Sequence, residues 1–310
     1  MLLVLAAAPV LLAAGSPLLE SPSFEYYCSG NARQCDNSTS APPLPSPVGG
    51  QGGVVLMGGG TDVGEAFVWM GKRSNGGGLL VLRTGPSGDD AYDEFILGLG
   101  TVSSAATLIL KDRTASSDPF VLRKIGEAGS LFFAGGDQSK YWRFWQGTPV
   151  QTALQARVDA GCPVGGTSAG EAILSSFVDS ALTGSVTGSE ALADPYDPRI
   201  TISSPAFLLL PHLAPTVTDM HFVVRDRLGR LLAFLARLQQ DGRAPAVGGA
   251  PPLASTGAVG GIGVDQKTAL LVEPSGATAI VGSGTAYFIS LQPGTARHCV
   301  KGQPLGLGAM

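Results

Sequence analysis

The sequence predicts an α/β protein built on a doubly wound, mostly parallel sheet with flanking helices. Three observations predict it. First, four short runs, Val54-Val55-Leu56-Met57, Leu79-Leu80-Val81-Leu82, Ala106-Thr107-Leu108-Ile109-Leu110 and Ser130-Leu131-Phe132-Phe133-Ala134, are apolar without alternation. That pattern belongs to strands buried on both faces. Second, the segments Asp90 to Leu99 and Asp118 to Gly129 suit helices, so strand and helix alternate. Third, 310 residues with 44% hydrophobic and 14% charged side chains can bury a core of the size such a fold needs.

The remaining elements follow in chain order. Residues 1–15 form an apolar run too short for a membrane span, which takes roughly 20 residues. Its length suits a signal-peptide core, and Leu12-Ala13-Ala14-Gly15 supplies small residues for cleavage, although no Lys or Arg precedes it. Residues 16–51 are rich in Ser, Pro and Gly and read as a leader and linker outside the core, since Ala41-Pro42-Pro43-Leu44-Pro45-Ser46-Pro47 suits neither helix nor central strand. The folded domain is expected over 52–295. Within it, Thr148 to Gly161 reads as a helix and Pro163-Val164-Gly165 as a strand. Residues 225–240 form a further helix, with Leu228, Leu231, Leu232, Leu235 and Leu238 at three- and four-residue spacing. Residues 241–261 read as a loose insertion. The strands Thr278 to Val281 and Ala286 to Leu291 close the domain in antiparallel fashion, and 296–310 is a tail.

A net charge of −4 and the lack of any basic cluster exclude a nucleic-acid binder. No pair among Cys28, Cys35, Cys162 and Cys299 has zinc-site spacing, so no metal is expected. Cys28 and Cys35 are close enough to pair in an exported chain, and Asn37-Ser38-Thr39 is then a glycosylation sequon. The expected location is secreted or extracytoplasmic, with no stable membrane span.

The chemistry centres on Gly166-Thr167-Ser168-Ala169-Gly170. In a nucleophile elbow a strand turns sharply into a helix with the serine at the apex, and small neighbours relieve the crowding. An apolar stretch precedes this motif and Glu171-Ala172-Ile173-Leu174 follows as a helix start. The amide of Ala169 then points at a developing oxyanion. The same residues also suit an ordinary glycine-rich turn. A serine needs a base. Of His212, His221 and His298, only His221 has a polar setting, Thr218-Asp219-Met220-His221-Phe222. Arg225, Arg227 and Arg230 follow it, and guanidinium groups there can grip a carboxylate or simply face solvent. The strand end Gly135-Gly136-Asp137-Gln138 lets backbone approach a ligand, and Gly136 can supply a second oxyanion donor.

Together these pieces resemble the cyanophycinase branch of the S51 serine peptidases. The matching segments are Phe133-Ala134-Gly135-Gly136-Asp137-Gln138, the Ser168 elbow, Thr218 through Leu231, and Gly261-Ile262-Gly263-Val264-Asp265, in family order. The resemblance implies a fold like class I glutamine amidotransferases. It implies Ser168 as nucleophile and His221 as general base, with Gln138, Asp219, Arg225, Arg227 and Arg230 lining a pocket for β-aspartyl-arginine units or related aspartyl peptides. It implies exopeptidase activity without a cofactor, and a homodimer. One departure stands out. Where the family carries a glutamate to orient the histidine, this chain has Gln266 after Asp265. An amide holds an imidazole but cannot stabilise the imidazolium as a carboxylate does. The alternatives are therefore that Asp265 or another carboxylate takes over, that activity is weak, or that the chain only binds peptides. An esterase of the α/β-hydrolase type is a further option, with Asp179, Glu190, Asp194, Asp197 and Asp219 between serine and histidine.

Overall fold

The computed structural model describes residues 16–39, 50–86, 88, 91–243, 259–291 and 296–308. The expected signal segment, the proline run at 41–47 and most of the expected insertion lie outside these. The strands are β1 (Leu19–Glu20), β2 (Phe24–Gly30), β3 (Val54–Met57), β4 (Leu79–Thr84), β5 (Ser104–Leu110), β6 (Ser130–Phe133), β7 (Val164–Thr167), β8 (Val178–Asp179), β9 (Ile202–Ser203), β10 (Thr216–Met220), β11 (Gly260–Val264), β12 (Thr268–Val272), β13 (Thr278–Gly282), β14 (Ala286–Ser290), β15 (Ala296–His298) and β16 (Gly306–Leu307). The helices are α1 (Gly64–Arg73), α2 (Ala91–Gly98), α3 (Pro119–Glu127), α4 (Gln138–Trp145), α5 (Pro149–Asp159), α6 (Ala169–Ala172), α7 (Gly188–Ala193) and α8 (Leu228–Gln240).

Nine strands form one sheet in the order β1-β2-β5-β4-β6-β7-β3-β12-β13. Its centre, β5-β4-β6-β7-β3, is parallel. Every residue of β3, β6 and β7 is buried, which is why these strands carry no polar alternation. On one face Val55, Met57, Val81 and Phe132 pack on Phe67, Met70 and Ile96 of α1 and α2. On the other, Leu56, Leu82, Leu131 and Phe133 pack on Phe120, Ile125, Trp145 and Leu154 of α3, α4 and α5. Asp118 caps α3 by accepting from the Phe120 amide at 2.8 Å, with Pro119 in the first turn. A second sheet, β10-β11-β14, has β10 and β11 parallel and β14 antiparallel. Asp265-Gln266-Lys267 joins it to β12 of the large sheet.

Four expectations need correction. The segment 16–51 is not all linker. β2 pairs with β5 along its whole length, from Phe24 opposite Leu110 to Gly30 opposite Ser104. Phe24, Tyr26 and Tyr27 are buried, and Phe24 stacks on Phe120. Aromatic side chains on both faces outweigh the Ser and Pro around them. Cys28 of this strand forms a disulfide with Cys35. Second, the residues after Gly135-Gly136 form α4, which Asp137 caps by accepting from the Ser139 amide at 2.9 Å. Third, α8 begins at Leu228, because residues 221–227 fold into turns with Arg225 N–H donating to His221 O and Arg227 N–H to Phe222 O. Fourth, β11 starts inside the expected insertion, and the C-terminal tail holds the β15–β16 pair and buries Cys299.

Candidate active site

Ser168 sits where β7 turns into α6, at φ 53° and ψ −116°. A non-glycine residue in such a conformation costs about 1–3 kcal/mol and persists only where its surroundings impose it. The surroundings are visible. A Cβ on Gly166 would lie 2.3 Å from the Gly170 carbonyl oxygen, and one on Gly170 would lie 2.0 Å from that of Phe133. Both glycines therefore let α6 sit directly on β6 and β7, and the Ser168 amide donates to Met57 O at 2.9 Å. The serine side chain is thrust out at the carboxyl end of the parallel sheet.

His221 follows β10, also with positive φ (52°), and its amide donates to Gly58 O at 2.8 Å. The ring lies on Gly59, where a Cβ would approach Cε1 to 2.3 Å. Ser168 Oγ and His221 Nε2 are 2.7 Å apart. On the far side of the ring, Gln266 Nε2 lies 2.6 Å from Nδ1. The turn Gly58-Gly59-Gly60 holds this pair in register, because Lys267 N–H donates to Gly59 O and Gly58 N–H to Thr268 O. Asp265 is turned away from the imidazole. Its carboxylate accepts from the Val223 and Thr285 amides and the Tyr287 hydroxyl. Burial, reinforced by the Arg225 and Arg227 charges, pushes His221 down from 6.5 to about 4, with Asp219 opposing weakly. The imidazole is neutral at pH 7.

Beside the pair opens a cavity of about 330 Å³ lined by Gly136, Gln138, Ser168, Ala169, Met220, Arg225, Arg227 and Arg230 among others. The three arginines differ. Arg230 is 2% exposed and grips Asp219 through Nε to Oδ2 (2.8 Å) and Nη2 to Oδ1, with Asp179 Oδ2 3.6 Å from Nη1. Arg227 donates from Nη1 to Val186 O, while its buried Nε has no partner. Burial and the charges of Arg230 and Arg225 make its cation less favourable than usual. Arg225 is exposed. The cavity, which Asp137 also lines, thus presents positive charge that is only partly answered, a setting that can hold an anion.

The cyanophycinase of Synechococcus elongatus is 24% identical over 199 residues, covering 64% of this chain and 52% of that protein. The cyanophycinase of Trichormus variabilis is 25% identical over 183 residues, 59% of this chain and 52% of that protein. This chain is similar to the cyanophycinases over that stretch. It spans about half the length of these curated relatives. No protein-family model matches it. Its fold is similar to the crystal structure of a peptidase from an acI-B1 Actinobacterium, with a TM-score of 0.51 and 18% identity over 84% of this chain and 97% of that one.

Against this cyanophycinase-like background, the residues singled out from the sequence fall into two groups. Ser168, His221, Gln266, Gln138, Gly136, Ala169, Arg225, Arg227 and Arg230 converge on one place. Asp219 does not reach the cavity: it has no exposed surface and stands behind Arg230 as its counter-ion. No carboxylate among the described residues hydrogen-bonds His221; the side chain on Nδ1 is an amide. Sequence reasoning missed the loop residues Ala181, Gly184 and Ser185 that wall the cavity. It also missed Glu171, fully buried with neither oxygen hydrogen-bonded. Burial, with Asp219 nearby, holds that carboxyl well above the usual range. Asp179 is likewise pushed up, to about 6, by burial against the pull of Arg230. A Glu directly after Ser-Ala-Gly, in an otherwise small and apolar helix start, was the available signal. Among the described residues no group of three or more His, Cys, Asp or Glu is placed to hold a metal ion, and no helix is long and apolar enough to cross a membrane.

Proposed function

We propose that the chain is a serine-type peptidase that cleaves aspartyl peptides, of the β-aspartyl-arginine kind or related ones, with Ser168 as nucleophile and His221 as general base and acid. The observation that carries this reading is the 2.7 Å contact between Ser168 Oγ and His221 Nε2 at the edge of an arginine-lined cavity. Ser168 Oγ attacks the amide carbonyl carbon as its proton passes to Nε2. The carbonyl oxygen gains negative charge, and the Ala169 and Gly136 amides donate hydrogen bonds to it. His221 then returns the proton to the leaving amine, and water repeats the sequence on the acyl-serine. The substrate carboxylate sits on Arg225 and Arg227, where the unmet Arg227 Nε supplies a charge-assisted donor.

The amide of Gln266 decides between this and a second reading. If its oxygen faces Nδ1, it accepts Nδ1–H and leaves Nε2 free to take the serine proton. If its nitrogen faces Nδ1, as the 2.6 Å Nε2–Nδ1 contact has it, Nδ1 accepts and Nε2 carries the hydrogen. The ring then donates to Ser168 and is no base. That arrangement favours a protein that binds peptides without cleaving them. A fluorophosphonate probe separates the two. An active serine labels in the wild type and not in Ser168→Ala; a wild type that labels no faster than the mutant contradicts the peptidase reading. The Cys28–Cys35 disulfide supports an oxidising, extracytoplasmic setting.

A further inference from the structure

A second cavity, of about 240 Å³, is lined by Thr61, Asp62, Ala91, Tyr92 and Phe95 and is almost wholly apolar. We propose that it is the leaving-group subsite, which takes a large apolar or aromatic side chain from the residue on the amine side of the scissile bond. The proposal rests on the peptidase reading above and, of the substrates that reading names, selects the related aspartyl peptides with an apolar leaving residue over the β-aspartyl-arginine kind.

The position of the cavity argues for it. Along β7, Gly165 faces Val55, Met70 and Phe132 on the α1–α2 side of the sheet, while Gly166 faces Gly170 on the α6 side. Side chains alternate along a strand, so Thr167 returns to the α1–α2 side, where it lies against the Asp62 carboxyl. The arginine cavity is walled by Ala169 of α6 and the α4 start. The two cavities therefore flank the Ser168 elbow from opposite sides. The loop that lines the second one continues directly from Gly59 under His221 and Gly60 beside Gln266. A peptide whose acyl half carries a carboxylate to Arg225 and Arg227, with its carbonyl at Ser168, must send its other half across this loop.

The chemistry of the walls selects the occupant. Among the described residues Asp62 is the one carboxylate lining the cavity, and it is engaged: the Tyr92 hydroxyl donates to Oδ2 at 2.6 Å. Burial raises its carboxyl above the usual range. What remains open is aromatic. Phe95 is 43% exposed and packs edge-on against Phe67, with Tyr92 beside Phe132. An apolar cavity of about 150 Å³ accommodates benzene, so the space here holds a leucine or phenylalanine side chain. Among the described residues a guanidinium would lose water there and find only a carboxylate already engaged by the Tyr92 hydroxyl.

The test compares Asp-Phe, Asp-Leu, Asp-Arg and Asp-Gly amides as substrates for the full chain. The expected result is a kcat/KM for Asp-Phe and Asp-Leu about 10- to 200-fold above Asp-Gly, the range that apolar pockets deliver. Phe95→Ser should collapse that ratio, whereas Leu209→Ser, at a distant exposed position, should keep it. Equal rates for all four, a preference for Asp-Arg, or a ratio unmoved by Phe95→Ser overturns the proposal. Binding of phenylalaninamide against glycinamide to Ser168→Ala, read by saturation-transfer NMR, decides the subsite without turnover. Selective phenylalaninamide binding that Phe95→Ser abolishes upholds the subsite even if no peptide is cleaved, and equal binding of the two amides sinks it.

Discussion

Replacing Gln266 by Glu should turn a weak base into a strong one. The side chain already lies 2.6 Å from His221 Nδ1 and is only half-buried, so a carboxylate fits the same space. In the reaction His221 becomes an imidazolium. A unit negative charge about 4 Å from its centre, at an effective dielectric of about 20, is worth roughly 4 kcal/mol. Desolvation of the new carboxylate offsets part of this, which leaves about 2–4 kcal/mol, or a 30- to 1,000-fold rise in kcat. The loss of about 10⁴ that follows amide replacement in a serine protease triad sets the ceiling. The carboxylate also admits one hydrogen-bond arrangement, as acceptor of Nδ1–H, which places the Nε2 lone pair on Ser168. A fluorophosphonate labelling time course and a kcat measurement on an aspartyl amide read both effects. The acidic limb of the pH–rate profile should move upward from about pH 4 as the imidazole gains its anion. A folded Gln266→Glu variant with unchanged labelling and kcat would refute the reasoning, because the missing acid would then not limit His221.

Three further outcomes follow from the same site. Arg227→Ala should raise KM for an acidic peptide about 10- to 150-fold with a smaller change in kcat, the worth of a charge-assisted hydrogen bond of about 1.5–3 kcal/mol, and Arg227→Lys should rescue it only in part. Glu171→Gln should raise Tm more at pH 8 than at pH 5. A carboxyl held neutral in the fold ionises freely when unfolded, so its cost grows as pH rises above 4.5. His221 has the opposite sign. Its folded value of about 4 lies below the ordinary 6.5, so the unfolded chain takes the proton first and stability falls as pH drops from 6.5 to 4, by about 3 kcal/mol. Chemical denaturation across that range should show the loss, and His221→Asn, which tolerates the positive φ, should remove it.

How far the sequence spoke depended on whether a residue's partners lay nearby along the chain. The parallel strands were legible because burial on both faces removes alternation, and β3, β6 and β7 show nothing else. Ser168 was legible because steric crowding at the turn demands glycine on both sides. His221 stood out as the one histidine in a polar setting. β2 was hidden by its Ser- and Pro-rich surroundings, although Phe24, Tyr26 and Tyr27 carry a two-faced strand pattern. Asp219 and Arg230, eleven residues apart, could not be separated into counter-ion and pocket wall, since only the fold buries one beneath the other. The Asp62–Tyr92 contact joins the loop after β3 to α2, thirty positions on, and no local pattern announces it.

The most direct test of the account is hydrolysis of an aspartyl amide by purified wild type and by Ser168→Ala, followed by product release under identical conditions. The account predicts slow but definite turnover by the wild type, abolished in Ser168→Ala, with peptide binding retained in both. Peptide binding by both proteins and turnover by neither would contradict it.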